Sequence, residues 1–216
     1  MLASFLTDDH LARYGQYWRD PTAAELADDF YLDDALRALI LHRRHDNTRL
    51  GFAVQYCSLK YLCAFPRVDD VSDVVLRHLA AQLGLPATNL RALIVRYAVQ
   101  HETRVAHTWQ VRDALGYREF GDVDALHLLR FLYGRLLLGD ERPIHLFDAC
   151  MQRLVERHVV LPGPYRLARL VTRVREHVAR RQYRDLAARL KPPQVEALEA
   201  LLVVPEGVRF TTAVST

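Results

Sequence analysis

The chain has 216 residues, 50% of them hydrophobic and 25% charged, with a net charge of +3. That size accommodates one large or two small helical domains, and apolar residues spread along the whole length exclude a disordered polypeptide. Three cysteines exclude a disulfide-stapled scaffold, and the absence of any apolar run long enough to cross a bilayer gives no sign of a membrane partner.

The first residues, Met1 to Leu6, run straight into Asp8-Asp9 without the basic opening and long apolar stretch of a secretion signal, so a cytoplasmic protein is expected. Thr22-Ala23-Ala24-Glu25 matches a capping box and starts a short helix. A helix over 33–44 follows, with Leu36, Leu39 and Ile40 on one face. The clearest early helix covers 47–64, where Leu50, Ala53, Val54, Cys57 and Tyr61 recur at helical spacing and Pro66 ends the pattern. Val71, Val74, Val75 and Leu79 predict the next helix, closed by Gly84. Pro86 opens a helix to about Tyr97, and another covers 100–115 and stops at Gly116.

Residues 116–121 read as an inter-domain junction. Beyond it, 123–138 is strongly apolar, with Leu126, Leu129, Leu132 and Leu136. Gly139 to Pro143 forms a turn and a helix start, and a helix over 144–158 ends at Leu161-Pro162-Gly163-Pro164. The helix from Tyr165 to about Arg181 is the most regular in the chain. Lys191-Pro192-Pro193 breaks the pattern, Gln194–Leu202 makes a last helix, and a tail without periodicity follows. The expectation is an all-α protein of two helical subdomains with helix-turn-helix-like packing: 1–118, 119–204, and a tail over 205–216.

Charge is unevenly placed. Residues 153–191 hold 11 basic and three acidic side chains. On a wheel of about 100° per residue, Leu167, Leu170, Val171, Val174 and Val178 share one face, while Arg166, Arg169, Arg173, Arg180 and Arg184 fall within an arc of roughly 60° on another. An arginine stripe beside an apolar seam suits a helix that enters the major groove of DNA, with the helix before it completing a helix-turn-helix pair. The plainer alternative is a solvated helix face, although such faces usually interleave both signs.

Two further clusters stand out. Arg43, Arg44, Asn47 and Arg49 lie between two helices and at the start of the second, where they could meet phosphates or bases; a polar turn with Arg43 or Arg44 paired to Asp46 is the alternative. Arg96, His101, Arg104, His107 and Arg112 form the third, either a contact with the DNA backbone or a polar face between helices.

Enzyme signals are poor. The glycines form neither GxGxxG nor GxxxxGKS, the ten histidines make no HExxH, and Cys57 and Cys63 are too far apart for a CxxC. Neither a cofactor nor a metal site is expected. Acid pairs such as Asp8-Asp9 and Asp33-Asp34 fall where they favour helix starts. A hydrolase or transferase would need a pocket gathering groups such as His101, His107 and Asp113.

Three stretches carry a resemblance. Arg43 to Gln55 resembles a pattern of basic residues, Asn, Arg-Leu-Gly-Phe-Ala and Gln found near the N-terminus of Tn3-family transposases. Glu102-Thr103-Arg104, His107, Leu115-Gly116-Tyr117-Arg118 and Phe120 make a second match. A looser third comprises Arg142-Pro143, Pro162-Gly163, Leu167, Arg169 and Val204-Pro205-Glu206-Gly207. The resemblance implies two helical DNA-binding domains that recognise the transposon's terminal inverted repeats, with double-stranded DNA and other transposase chains as partners. It also implies a catalytic domain of RNase H-like fold far downstream, so that no acidic residue here inherits a catalytic role. The expected DNA contacts are Arg166, Arg169, Arg173 and Arg180 in one surface and Arg43, Arg44, Asn47, Arg49 and Arg104 elsewhere. The rival expectation is a helical protein–protein module, which predicts an exposed apolar patch and no basic groove.

Overall fold

A computed structural model describes residues 5–202, apart from the Asp69 and Leu202 side chains, and shows an all-α protein. Its helices are α1 (Asp8–Arg13), α2 (Ala23–Asp29), α3 (Asp34–Leu41), α4 (Asp46–Leu62), α5 (Asp73–Gln82), α6 (Leu90–Ala98), α7 (His101–Leu115), α8 (Asp122–Leu138), α9 (Pro143–Glu156), α10 (Pro164–Ala187) and α11 (Pro192–Leu202), with a 3-10 turn at Val68–Asp70. The described residues hold no strand, only an isolated backbone bridge between Arg118 and Val159. The expected tail over 205–216 and the Val204 to Gly207 match lie outside the described residues.

Local chemistry sets the helix ends. Thr22 and Glu25 form the expected reciprocal capping box, and Thr7 with His10 forms another at α1, a helix too short to show apolar periodicity. The Asp33 carboxylate accepts from the Leu36 amide at the start of α3. Proline opens α9 and α10. Gly116 closes α7 in the left-handed conformation, as its place in the sequence predicts.

Several boundaries differ from the sequence-based expectation; α10 runs to Ala187 rather than about Arg181, and α11 starts at Pro192 rather than Gln194. Helix α3 stops at Leu41 rather than 44, and residues 42–45 make a turn before α4. Helix α4 ends at Leu62, four residues before Pro66, because Cys63 turns left-handed while its amide bonds the Leu59 carbonyl. Helix α6 starts at Leu90 rather than near Pro86, because Asn89 is itself left-handed and cannot continue a right-handed helix.

Helix α4 is the centre of the fold. It packs against α2, α3, α5, α6 and α7, and it buries Leu50, Phe52, Ala53, Val54, Cys57 and Leu59 around most of its girth. A helix enclosed on all sides needs no polar stripe, which is why its apolar residues surround it. Gly51 sits where α4 meets α6, and a Cβ there would overlap the Tyr97 ring. The Arg-Leu-Gly-Phe-Ala stretch is thus the middle of the core.

The structure divides into two compact units, Met1–Arg175 and Glu176–Thr216. The expected boundary at 118/119 falls inside the first. Within that unit α8 packs on α9. Helix α8 buries Leu128, Leu132 and Leu136, and α9 buries Leu146, Phe147, Cys150 and Leu154. The connection between α9 and α10 is tied to the first helices. The Tyr14 hydroxyl donates to the Pro162 carbonyl at 2.6 Å, the Leu161 amide to the Cys63 carbonyl at 2.9 Å, and the Val160 amide to the Arg118 carbonyl at 2.9 Å. Leu167, Ala168, Val171 and Val174 of α10 are buried. In the second unit, the described residues are the last turns of α10, a short connection, and α11.

Candidate nucleic-acid interface

The 42–49 cluster faces the protein more than the solvent. Arg43 leaves the turn after α3 and lies over the Phe52 ring, 3.4 Å from its centroid. Its Nε donates to His107 Nε2 at 3.3 Å, and its terminal nitrogens donate to the Leu39 carbonyl at 2.7 Å and to Gln110 Oε1 at 2.8 Å. Burial holds the Arg43 guanidinium below its usual pKa. Asn47 is buried and donates to Gln100 Oε1 at 3.4 Å. Arg49 donates to the carbonyls of Arg43 and Leu41 and to the Asp46 carboxylate. Arg44 alone of the four is exposed.

The α7 cluster is likewise mixed. Arg104 donates to the Ala98 carbonyl at 3.3 Å. His107 is buried beneath Arg43, stacked on Tyr97, with its Nδ1 2.9 Å from the Tyr97 hydroxyl. Because Nε2 accepts from Arg43, the ring is neutral with its proton on Nδ1. Burial first, and then the Arg43 charge, depress its pKa to about 4. Arg112 is nearly enclosed, paired with Glu119 at 2.8 Å, and supports the exposed Trp109 ring at 4.0 Å. His101 and Asp113 are exposed, whereas His107 is interior. No group of three metal-ligating side chains occurs among the described residues.

The start of α10 is different. The sequence from Arg157 to Arg175 contains five arginines and no acidic residue. Helical geometry puts Arg166, Arg169 and Arg173 on one face while Leu167, Ala168, Val171 and Val174 turn inward. All three arginines are exposed, and none has an ion-pair partner among the described residues. Arg175, off this line, is paired with Asp140 at 3.1 Å. Arg166 lies over the Phe120 ring, 4.8 Å from its centroid. The chain before α8 places that ring, which is buried. In the second unit Arg180 is exposed, and its carbonyl accepts from Arg184 Nε at 3.3 Å.

Of the expected contacts, Arg166, Arg169 and Arg173 therefore come together on one solvent-facing surface. Arg43, Asn47, Arg49 and Arg104 are held by the protein's own acceptors. Sequence reasoning gave no role to Phe120 beneath Arg166, or to the Trp109 ring beside Arg112. Trp18, with Arg13 and Arg19 at 4.8 and 5.4 Å from its ring, was missed as well. The i,i+3 spacing of Trp109 and Arg112 could have suggested their contact; nothing in the sequence joins Arg166 to a ring 46 residues away.

The family described as Domain of unknown function (DUF4158) matches residues 5–174. The chain is 36% identical over 215 residues to the transposase for transposon gamma-delta of Escherichia coli (strain K12), which covers 98% of this chain and 21% of that protein. It is 28% identical over 191 residues to the transposase for transposon Tn3926 of Escherichia coli, covering 87% of this chain and 18% of that one. It is also 24% identical over 165 residues to the transposase for transposon Tn1546 of Enterococcus faecium, covering 76% and 16%. The chain spans about a fifth of the length of these curated relatives.

Proposed function

The chain belongs to the DUF4158 family and corresponds to a Tn3-family transposase N-terminal region, and from that premise we propose that it binds double-stranded DNA, recognising the terminal inverted repeats of a transposon in the bacterial cytoplasm. The observation that carries this reading is the row Arg166, Arg169 and Arg173, exposed, without ion pairs among the described residues, in a stretch with no acidic residue. Unpaired guanidinium groups release condensed counterions when they meet phosphates, which gives affinity and a steep salt dependence. Helix α9, the connection 157–163 and α10 supply the parts of a helix-turn-helix pair with α10 as the second helix.

In this reading the segments 1–118 and 119–204 each contribute a contact surface. Arg44 is the freest member of the first. Arg43, Asn47, Arg49 and Arg104 reach DNA only by exchanging their internal acceptors, and Arg180 is a separate contact. The chain carries no catalytic site of its own, and other transposase chains join it on the DNA. Fluorescence anisotropy with a labelled duplex tests the reading: affinity should fall roughly 10-fold or more between about 50 and 200 mM salt. A variant with Arg166, Arg169 and Arg173 all changed to Gln should bind weakly with a flattened salt slope. Unchanged binding by the folded triple variant refutes the assignment of this face. Incubation with Mg2+ and supercoiled DNA should give no strand cleavage.

A second reading, a helical assembly module, is favoured by α8. That helix leaves Val123 and Leu126 more than half exposed, with Leu137 on the same side. Light scattering of the chain with and without Leu126→Glu separates the two: an assembly module dissociates in the variant, whereas a DNA-binding module keeps its mass and its duplex affinity.

A further inference from the structure

We infer that Arg166 reads a guanine base while Arg169 and Arg173 hold phosphates, and that Phe120 is the positioning residue that makes Arg166 the reader. The inference rests on the DNA-binding reading above and divides its surface into two kinds of contact.

Arg166 is the third residue of α10, in the first turn, which is the part a recognition helix presents to base edges. Its neighbours Leu167 and Ala168 are buried, so the backbone under it is fixed. The Phe120 ring beneath its guanidinium is buried and fixed as well. Stacking on a ring occupies the flat face of a guanidinium and leaves the N–H donors in its plane. Among the described residues no carboxylate pairs with them. A guanidinium braced 4.8 Å from a buried ring, with donors that no carboxylate takes, is suited to two parallel hydrogen bonds to guanine O6 and N7. A side chain held in place before binding also loses less freedom on binding.

Arg169 and Arg173 lack such a support. No ring contact or ion pair holds them among the described residues. A swinging guanidinium suits a phosphate, which accepts from many directions, and serves poorly for a base edge that accepts from one. Arg175, fixed by Asp140, is committed to an ion pair and takes neither role.

The test uses the full chain and a pool of duplexes with a randomised central segment. After selection, binding to the enriched duplex and to single-base variants of it is measured across salt concentrations, with circular dichroism melts as the folding control. The wild-type chain should enrich a motif with a fixed guanine. Arg166→Lys keeps the charge and loses the fork. It should lose discrimination at that one position by roughly tenfold or more, with the salt slope kept. Phe120→Leu should weaken the same position, again without changing the slope. Arg169→Gln and Arg173→Gln should keep the motif and each lower the slope by about one.

An unchanged motif in folded Arg166→Lys overturns the inference, and so does loss of the guanine in Arg169→Gln. Wild-type chain that binds the pool but enriches no motif overturns it too, while leaving DNA binding intact. Wild-type chain that binds no duplex even at low salt overturns both.

Discussion

His107 is the residue where chemistry and packing are most tightly joined. Its ring accepts from Arg43, faces the Tyr97 hydroxyl and meets the Phe52 ring edge-on, so a proton on Nε2 would lose one bond and place a cation against a cation. Its folded pKa, about 4, is depressed below the ordinary value of 6.5. The unfolded chain therefore binds more protons between those values. The stabilisation is complete above about pH 6.5 and is lost as the pH falls toward about 4. The unfolding free energy from urea titrations should drop between pH 6.5 and 5 by about 1 kcal/mol per pH unit. His107→Gln should remove most of that slope; an equal slope in the variant would show that another group titrates there. Gly51 makes a second prediction. Gly51→Ala forces a methyl into the Tyr97 ring and should cost about 1–3 kcal/mol in a thermal or denaturant melt. A melt unchanged within error would contradict the close approach of α4 and α6.

At the scale of elements, α8 separates its two sides sharply. Leu128, in the buried row, should cost about 2–5 kcal/mol on change to Ala, whereas Leu126→Ala on the exposed side should cost little. A denaturant titration of both variants checks the orientation of the helix. Such orientations were only partly legible beforehand. Thr22 with Glu25, Gly116, Pro143 and Pro164 announced helix ends, because caps and fixed dihedrals act within four residues. Cys63 gave no warning, since a residue other than glycine, asparagine or aspartate takes the left-handed conformation only where its surroundings hold it there. The same limit governed the basic clusters. Spacing alone placed Arg166, Arg169 and Arg173 on one helical face. It could not say that Arg43 and Arg49, equally basic and next to a helix start, would find carbonyls, a ring and a histidine inside the protein.

At the scale of the whole molecule, helical character was legible beyond the short α1, because period and breakers are local properties. The linkage of segments was not. Residues 116–121 carry the composition of a junction, yet the backbone there pairs with residues 158–160, and Leu161 reaches Cys63. Residues on both sides of that stretch consequently belong to one compact unit as far as Arg175, and equilibrium unfolding followed by circular dichroism and by tryptophan fluorescence should report one shared midpoint for it. Two separated midpoints would mean that the halves fold independently.

The connection before α10 has one more consequence. Loops usually trade their amide hydrogens for deuterium within moments, but the amides of Val160 and Leu161 are occupied by carbonyls distant in sequence. Their exchange should be as slow as that of the neighbouring helices. If it is, the support of α10 is a stiff mount, and a duplex seated on that helix would meet a surface already in its final position.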